Sequence, residues 1–89
     1  MHANPIHRQV LRWLTSRLAF HLDVPAHIDP TVPLAEMGVD SVRALSLVGD
    51  VEAQFGIDVD PTMIFDYPTL SDITEYVTTA VAEQQEVVA

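Results

Sequence analysis

Ser41 is the side chain best placed to do chemistry in this sequence. It stands in the run Gly38-Val39-Asp40-Ser41-Val42, where a loop gives way to an amphipathic helix. A hydroxyl at a helix N-terminus lies among unpaired backbone N–H groups, at the positive end of the helix dipole. Both favour negative charge, so the position suits a phosphate. A turn also presents it to a modifying enzyme. These features make Ser41 an attachment point rather than a catalyst. On spacing alone, Asp40-Ser41 also reads as the N-cap pair of an ordinary helix.

Other chemistries find less support. A Ser-His-Asp hydrolase uses a Gly-x-Ser-x-Gly elbow. Gly38 lies three residues before Ser41, and no glycine follows at the needed place. The chain is also too short for a sheet that could hold a triad. His7 and His21 share roughly one side of the first helix but are fourteen residues apart, or about 21 Å at the helical rise. That is too far to share an ion. His2 falls before that helix and His27 in a loop, and no zinc-type ligand spacing occurs. The histidines therefore read as solvated or locally hydrogen-bonded. Asp58 and Asp60 read as a turn and a cap, because the dense oxygen ligands of a calcium loop are missing. There is no cysteine, so thiol chemistry must come from a cofactor.

Composition narrows the class further. Eighty-nine residues make one small domain with a single modest core. Hydrophobic residues are 48% of the chain, enough for a folded globule. The net charge of −9 sets thirteen acids against four arginines and no lysine. Nucleic acids and anionic membranes need clustered positive charge, so neither is expected as a partner. An acidic protein is instead steered toward basic patches on other proteins. No run approaches the length of a membrane span, and the N-terminus lacks signal-peptide character. The expected location is the cytoplasm. No internal repeat or low-complexity segment is evident.

The elements that must position Ser41 are helical. Asn4-Pro5 reads as an N-cap and first helical residue. Ile6, Val10, Leu14 and Leu18 then recur every four residues, joined by Leu11 and Leu22, and Pro25 limits the helix. Arg8, Arg12 and Arg17 lie on it. Trp13 and Phe20, at the edge of its stripe, are expected to pack against the last helix. Residues 23–40 form a long connection, pinned to the core by Ile28, Val32, Leu34 and Met37. A second helix runs from about Ser41 to Phe55, capped by Asp40 or Ser41 and ended by Gly56. Ile57 and Val59 suggest a short extended return. Asp60-Pro61 reads as the cap and first residue of a brief helical turn to Phe65, which Tyr67-Pro68 breaks. Thr69 and Asp72 form a weak capping box. The last helix carries Leu70, Ile73, Val77 and Val81, with Tyr76 beside them. The expectation is an all-α four-helix bundle of three main helices and one short third helix. It forms a single domain over 1–89, with its core at about 5–82 and a frayed tail at 83–89.

The second helix has two apolar faces. At about 100° per residue, Ala44, Leu47, Val48, Val51 and Phe55 form a core-facing stripe. Val42, Leu45 and Gly49 fall on another side, beside Ser41, while Arg43, Asp50 and Gln54 cover the rest. Val42 and Leu45 either face a transient partner or pack under the long loop.

The ordered set of Gly38, Asp40-Ser41, Phe55-Gly56 and Phe65-Asp66-Tyr67-Pro68-Thr69-Leu70 resembles the acyl carrier proteins, over nearly the whole chain. That family's motif is Gly-x-Asp-Ser-Leu; here Val42 stands where leucine is usual. The Phe65–Leu70 stretch is similar to carriers of modular polyketide synthases more than to those of fatty acid synthesis. Ser46 and Gly49 replace a common acid and a larger apolar residue, and Arg43 adds a positive charge. Asp50 and Glu52 remain. Ready exchange with fatty acid synthesis enzymes is therefore not expected.

The resemblance implies a non-catalytic carrier. A phosphopantetheinyl transferase would attach 4′-phosphopantetheine from coenzyme A covalently to Ser41, with Asp40 in support. The arm would hold biosynthetic intermediates as thioesters. Val42, Leu45, Ser46, Gly49 and Glu52 would meet acyl-loading and polyketide-synthase-type enzymes, and the protein would act as a monomer without a metal. A peptidyl carrier of nonribosomal synthesis and a cofactor-free helical interaction module are the alternatives. Val39-Asp40 favours an acyl carrier, since peptidyl carriers often have a second glycine and sometimes histidine before the serine. Met1 and the short tail lean toward a free-standing protein.

Overall fold

The computed structural model describes residues 5–25 and 27–87, with side chains as far as Gln84. Asn4, His2 and residues 88–89 lie outside the described residues, so the expected Asn4 cap does too. Helix α1 spans Pro5–Leu22 and buries Val10, Leu14, Leu18 and Ala19. Its end is set by backbone geometry. Asp23 takes a left-handed φ of 56°. Val24 N then donates to Ala19 O at 3.1 Å, and Asp23 N to Phe20 O at 3.3 Å. This pair of bonds closes the last turn before Pro25.

The connection after α1 holds a 3₁₀ turn, Leu34–Met37, that hydrophobic periodicity does not reveal. Leu34 is buried, Ile28 and Met37 are half-buried against the core, and Gly38 ends the turn at φ 86°. Two backbone bonds strap this loop to the far side of the bundle. Leu34 N donates to Pro68 O at 2.8 Å, and Ser71 N donates to Pro30 O at 2.9 Å.

Helix α2, Ser41–Phe55, has the expected bounds, and Gly56 ends it at φ 66°. Ala44, Leu47, Val48 and Val51 are buried and Phe55 is half-buried, as its periodicity predicts. Ile57 and Val59 are buried and alternate with exposed Asp58 and Asp60, without forming a strand among the described residues. Helix α3 is a single turn, Met63–Asp66, and starts later than the expected Pro61. The reason is local: Asp60 Oδ1 accepts from Thr62 N at 2.9 Å and from Thr62 Oγ1 at 2.8 Å. Asp60 thus caps a tight turn, and the helix waits for Met63. Asp29-Pro30-Thr31 repeats this turn, with Asp29 Oδ1 accepting from Thr31 N at 2.9 Å and Oγ1 at 2.7 Å.

Helix α4, Leu70–Val87, opens with Asp72 N donating to Thr69 Oγ1 at 3.1 Å, one half of the expected capping box. It continues to Val87. Ala82, Glu83 and Gln84 are good helix formers with no breaker among them. The core joins Val10, Leu14 and Leu18 of α1 to Leu47 and Val51 of α2 and to Leu70, Ile73 and Val77 of α4. Of the two aromatic residues of α1, Trp13 packs against the core as expected and Phe20 does not. Trp13 meets Phe55 of α2 edge-to-face, with ring centroids 5.2 Å apart. Phe20 does not enter the core: it is 68% exposed, with the Arg17 guanidinium 4.6 Å from its ring centroid. Burial of Ala19 and Leu18 turns Phe20, next along the helix, outward.

Candidate functional site

Gly38 turns the chain out of the 3₁₀ helix, and Asp40 starts α2 in an extended conformation. Asp40 is the cap: its Oδ1 accepts from Arg43 N at 2.8 Å, and its carbonyl accepts from Ala44 N at 2.9 Å. That leaves Ser41 as the first helical residue, exposed. The amides of Ser41 and Val42 lie in the first turn, where no intrahelical acceptor exists. The hydroxyl thus sits where a phosphate oxygen meets N–H donors and the helix dipole. Arg43 steadies the arrangement, with Nη1 3.4 Å from Asp40 Oδ2 and Nε donating to His21 O at 3.4 Å. Asp40→Ala is expected to lower stability by about 1 kcal/mol, the usual cost of a lost N-cap. Thermal denaturation checks it, and an unchanged Tm would show that Asp40 caps nothing.

A cleft of about 380 Å³ adjoins Ser41, lined by Leu34, Val39, Ala44, Ile64 and Phe65 among others. A wider groove of about 810 Å³ lies between the C-terminal halves of α2 and α4, lined by Gly49, Glu52, Ala53, Asp58, Ala80 and Glu83 among others. Its lining has no hydroxyl, thiol or imidazole, so the Ser41 cleft is the better candidate despite its smaller size.

Val42 and Leu45 do not pack under the long loop. They are 72% and 55% exposed, and Phe65 at the cleft is 78% exposed. Ser46 and Gly49 are exposed as well. Glu52 differs: it is half-buried, and its Oε2 accepts from Val59 N at 2.9 Å. Sequence reasoning missed Ile64 and Phe65. The signal was the brevity of the third helix: a single turn that buries Met63 must turn Phe65 outward.

It also missed a polar cluster that joins α1 to α2. Asp50 Oδ2 accepts from Arg17 Nη2 at 2.9 Å and Nε at 3.1 Å, and lies 2.6 Å from His21 Nε2. Burial alone would raise the Asp50 pKa, but hydrogen bonds from His21 and Arg17, and their charges, hold the carboxyl below its ordinary value. Asp29 is lowered by the Thr31 hydroxyl and then its amide, and Asp60 by the Thr62 amide and then its hydroxyl.

A depressed native pKa contributes stability above the ordinary carboxylate value, about 3.9. That contribution is lost as pH falls through the lower native value. Asp50→Asn should therefore lower Tm at neutral pH, with a gap from wild type that narrows as pH falls below about 4. A Tm series from pH 7 to 3 tests this; a gap that widens toward acid would refute it. Among the described residues, no group of three or more His, Asp or Glu could hold a metal, and no helix is long and apolar enough to cross a membrane.

Comparison with known proteins bears on this site. The family model described as "Phosphopantetheine attachment site" matches residues 12–77. A non-reducing polyketide synthase, dpmpA, of Macrophomina phaseolina is 42% identical over 60 residues, covering 67% of this chain and 3% of that protein. A type I polyketide synthase of phenolphthiocerol synthesis from Mycobacterium marinum is 36% identical over 61 residues, covering 68% of this chain and 3% of that protein. The chain thus spans only a few per cent of the length of these relatives. Among solved structures, a free-standing peptidyl carrier protein from Acinetobacter baumannii matches with a TM-score of 0.81 and 30% identity, over 85% of this chain and 96% of that one. An HMG-ACPI domain from the CurA module of Lyngbya majuscula matches in fold, with a TM-score of 0.78 and 19% identity, over 94% of this chain and 92% of that one. With its all-α fold and an exposed serine opening α2, the chain belongs to the phosphopantetheine attachment-site family, carrier domains that hold 4′-phosphopantetheine covalently.

Proposed function

We propose that this chain is an acyl carrier of polyketide-type biosynthesis and that Ser41 is its attachment residue. The observation that carries the reading is the exposed Ser41 hydroxyl in the first turn of α2, capped by Asp40, inside the matched family segment. A phosphopantetheinyl transferase would supply the arm from coenzyme A. Ser41 Oγ forms a bond to the pyrophosphate phosphorus nearest the pantetheine. The phosphoanhydride bond breaks, the adenosine bisphosphate half leaves, and the serine proton passes to a base of the transferase. Once bound, the arm supplies a terminal thiol that holds acyl groups as thioesters.

The chain's own residues present and orient. Asp40 keeps the first turn of α2 closed, and the first-turn amides of Ser41 and Val42 would be available to the phosphate of an attached arm. Leu34 and Gly38 hold the preceding loop in place. Tethering raises the effective concentration of an intermediate at each enzyme visited. The net charge of −9 favours fast encounter with basic partner surfaces. The partners under this reading are the transferase, acyl-loading enzymes and polyketide-synthase-type enzymes, with the carrier as a monomer.

Intact-mass measurement tests the reading. The purified protein, incubated with coenzyme A and a broad-specificity phosphopantetheinyl transferase, should gain the mass of one phosphopantetheine. No gain with any transferase would remove the carrier reading and leave a helical interaction module. Likeness to a peptidyl carrier structure favours a second reading, in which an adenylating enzyme loads an aminoacyl group. The mass of the acyl group accepted by the armed protein separates the two.

A further inference from the structure

We propose that Arg43 is the counter-charge of the phosphodiester formed at Ser41: once the arm is attached, the Arg43 guanidinium turns from Asp40 to the phosphate oxygens. The inference rests on Ser41 as the attachment residue and adds a second residue of this chain that holds the arm.

An arm at Ser41 places a new negative charge beside an existing one. Asp40, the preceding residue, cannot turn its carboxylate away without losing the cap of α2, because Oδ1 accepts from Arg43 N at 2.8 Å. The chain is short of cations that could offset the pair, with four arginines and no lysine against thirteen acids. Helix α2 carries one cation, Arg43, two residues beyond Ser41. The first-turn amides offer the phosphate dipoles. Arg43 offers it a full opposing charge.

Arg43 is poorly used by the fold alone. A cation in the first turn of a helix sits at the unfavourable end of the dipole. The side chain is 46% exposed, and both of its contacts are long. Nη1 stands 3.4 Å from Asp40 Oδ2, and Nε donates to His21 O at 3.4 Å. Charge-assisted bonds usually close to about 2.7–2.9 Å. Arg17 shows the difference: its Nη2 and Nε reach one Asp50 oxygen at 2.9 and 3.1 Å. Arg43 is a loose brace that a stronger acceptor can take over.

The exchange leaves the helix start intact. Helical side chains lean back toward the N-terminus, and the guanidinium already lies against the residue that precedes Ser41. The free oxygens of a phosphodiester match the paired N–H groups of a guanidinium, which binds phosphate as a fork. Asp40 keeps Arg43 N on Oδ1 and releases only the contact at Oδ2.

The test uses the full chain before and after conversion with coenzyme A and a broad-specificity phosphopantetheinyl transferase, carried to completion by intact mass. In the wild type, the Arg43 Nε–H signal of a proton–nitrogen correlation spectrum should shift on attachment. The Arg17 signal, bound to Asp50, should stay in place. The change in Tm on attachment is then compared between variants, which cancels any effect of a substitution on the bare fold. Arg43→Gln should make that change less favourable by about 2–4 °C at low salt, the scale of an exposed ion pair in a domain of this size. Arg43→Lys should recover at least half of the difference, and about 1 M salt should remove it. An Arg43 signal unmoved by the arm, or the same change in Tm for wild type and Arg43→Gln, would overturn the inference alone and leave Arg43 to an acidic group of a partner. A wild type that takes no arm would overturn the Ser41 reading together with it.

Discussion

Ser41→Ala is expected to abolish the mass gain of one phosphopantetheine while leaving the fold intact. The substitution removes the only oxygen at that position that could form the new bond to phosphorus, so the loss should be complete. Stability should change little, because the cap of α2 is Asp40 and Ser41 is exposed. Surface substitutions away from caps and cores stay within about 0.5 kcal/mol. The measurement is intact mass after incubation with transferase and coenzyme A, beside a thermal melt. A variant that still gains the arm would move the attachment to another hydroxyl and leave Ser41 without a role. One that loses both mass gain and fold would make the serine structural.

Leu34→Ala should have the largest effect on stability near the site. Leu34 is 2% exposed in the core, and it is among the residues that line the Ser41 cleft. Removing a buried leucine to its Cβ costs about 2–5 kcal/mol, against a total of about 5–15 kcal/mol for a native domain. The backbone around it carries three bonds: Leu34 N to Pro68 O, and from Val39 N and the Gly38 amide to the Leu34 carbonyl. These bonds hold the segment that leads into Asp40 and Ser41. Chemical denaturation should show a large fall in the midpoint, and arm transfer should slow even where the variant is still folded. Unchanged stability would mean that the loop is not held through Leu34. Lost stability with an unchanged transfer rate would mean that the loop does not position Ser41.

Much of this was legible in the sequence because it is encoded locally. The stripe of Val10, Leu14 and Leu18 marks α1 by spacing. Asp40 before the helix and Gly56 after it mark the ends of α2, since each meets a backbone need within one turn. The angle of Val42 and Leu45 around that helix set them off the core stripe, and the structure shows them exposed rather than under the long loop. The resemblance to acyl carriers rested on the order of such local signals, and the family match over residues 12–77 agrees with it.

What went unseen depends on partners far along the chain. Asp50 read only as an acid remaining on α2, because its ligands, Arg17 and His21, lie on another helix. Phe20 read as core because the edge of an apolar stripe is decided only when the neighbouring helices take up their rotations. The start of α3 was misplaced because Asp60 binds Thr62, a competition between side chain and backbone that hydrophobic patterning does not register. The 3₁₀ turn at Leu34 has too few residues to show a period.

Local sequence is enough to specify the helices, their caps, the inward faces and the serine that opens α2. Each of these depends on residues within a few positions of one another. Packing settles which carboxylates of α2 are taken inward, where the Ser41 cleft opens between the loop and α3, and that Phe65 borders it. Those outcomes depend on how rigid helices meet, because Asp50 and Glu52 find their partners only across the fold.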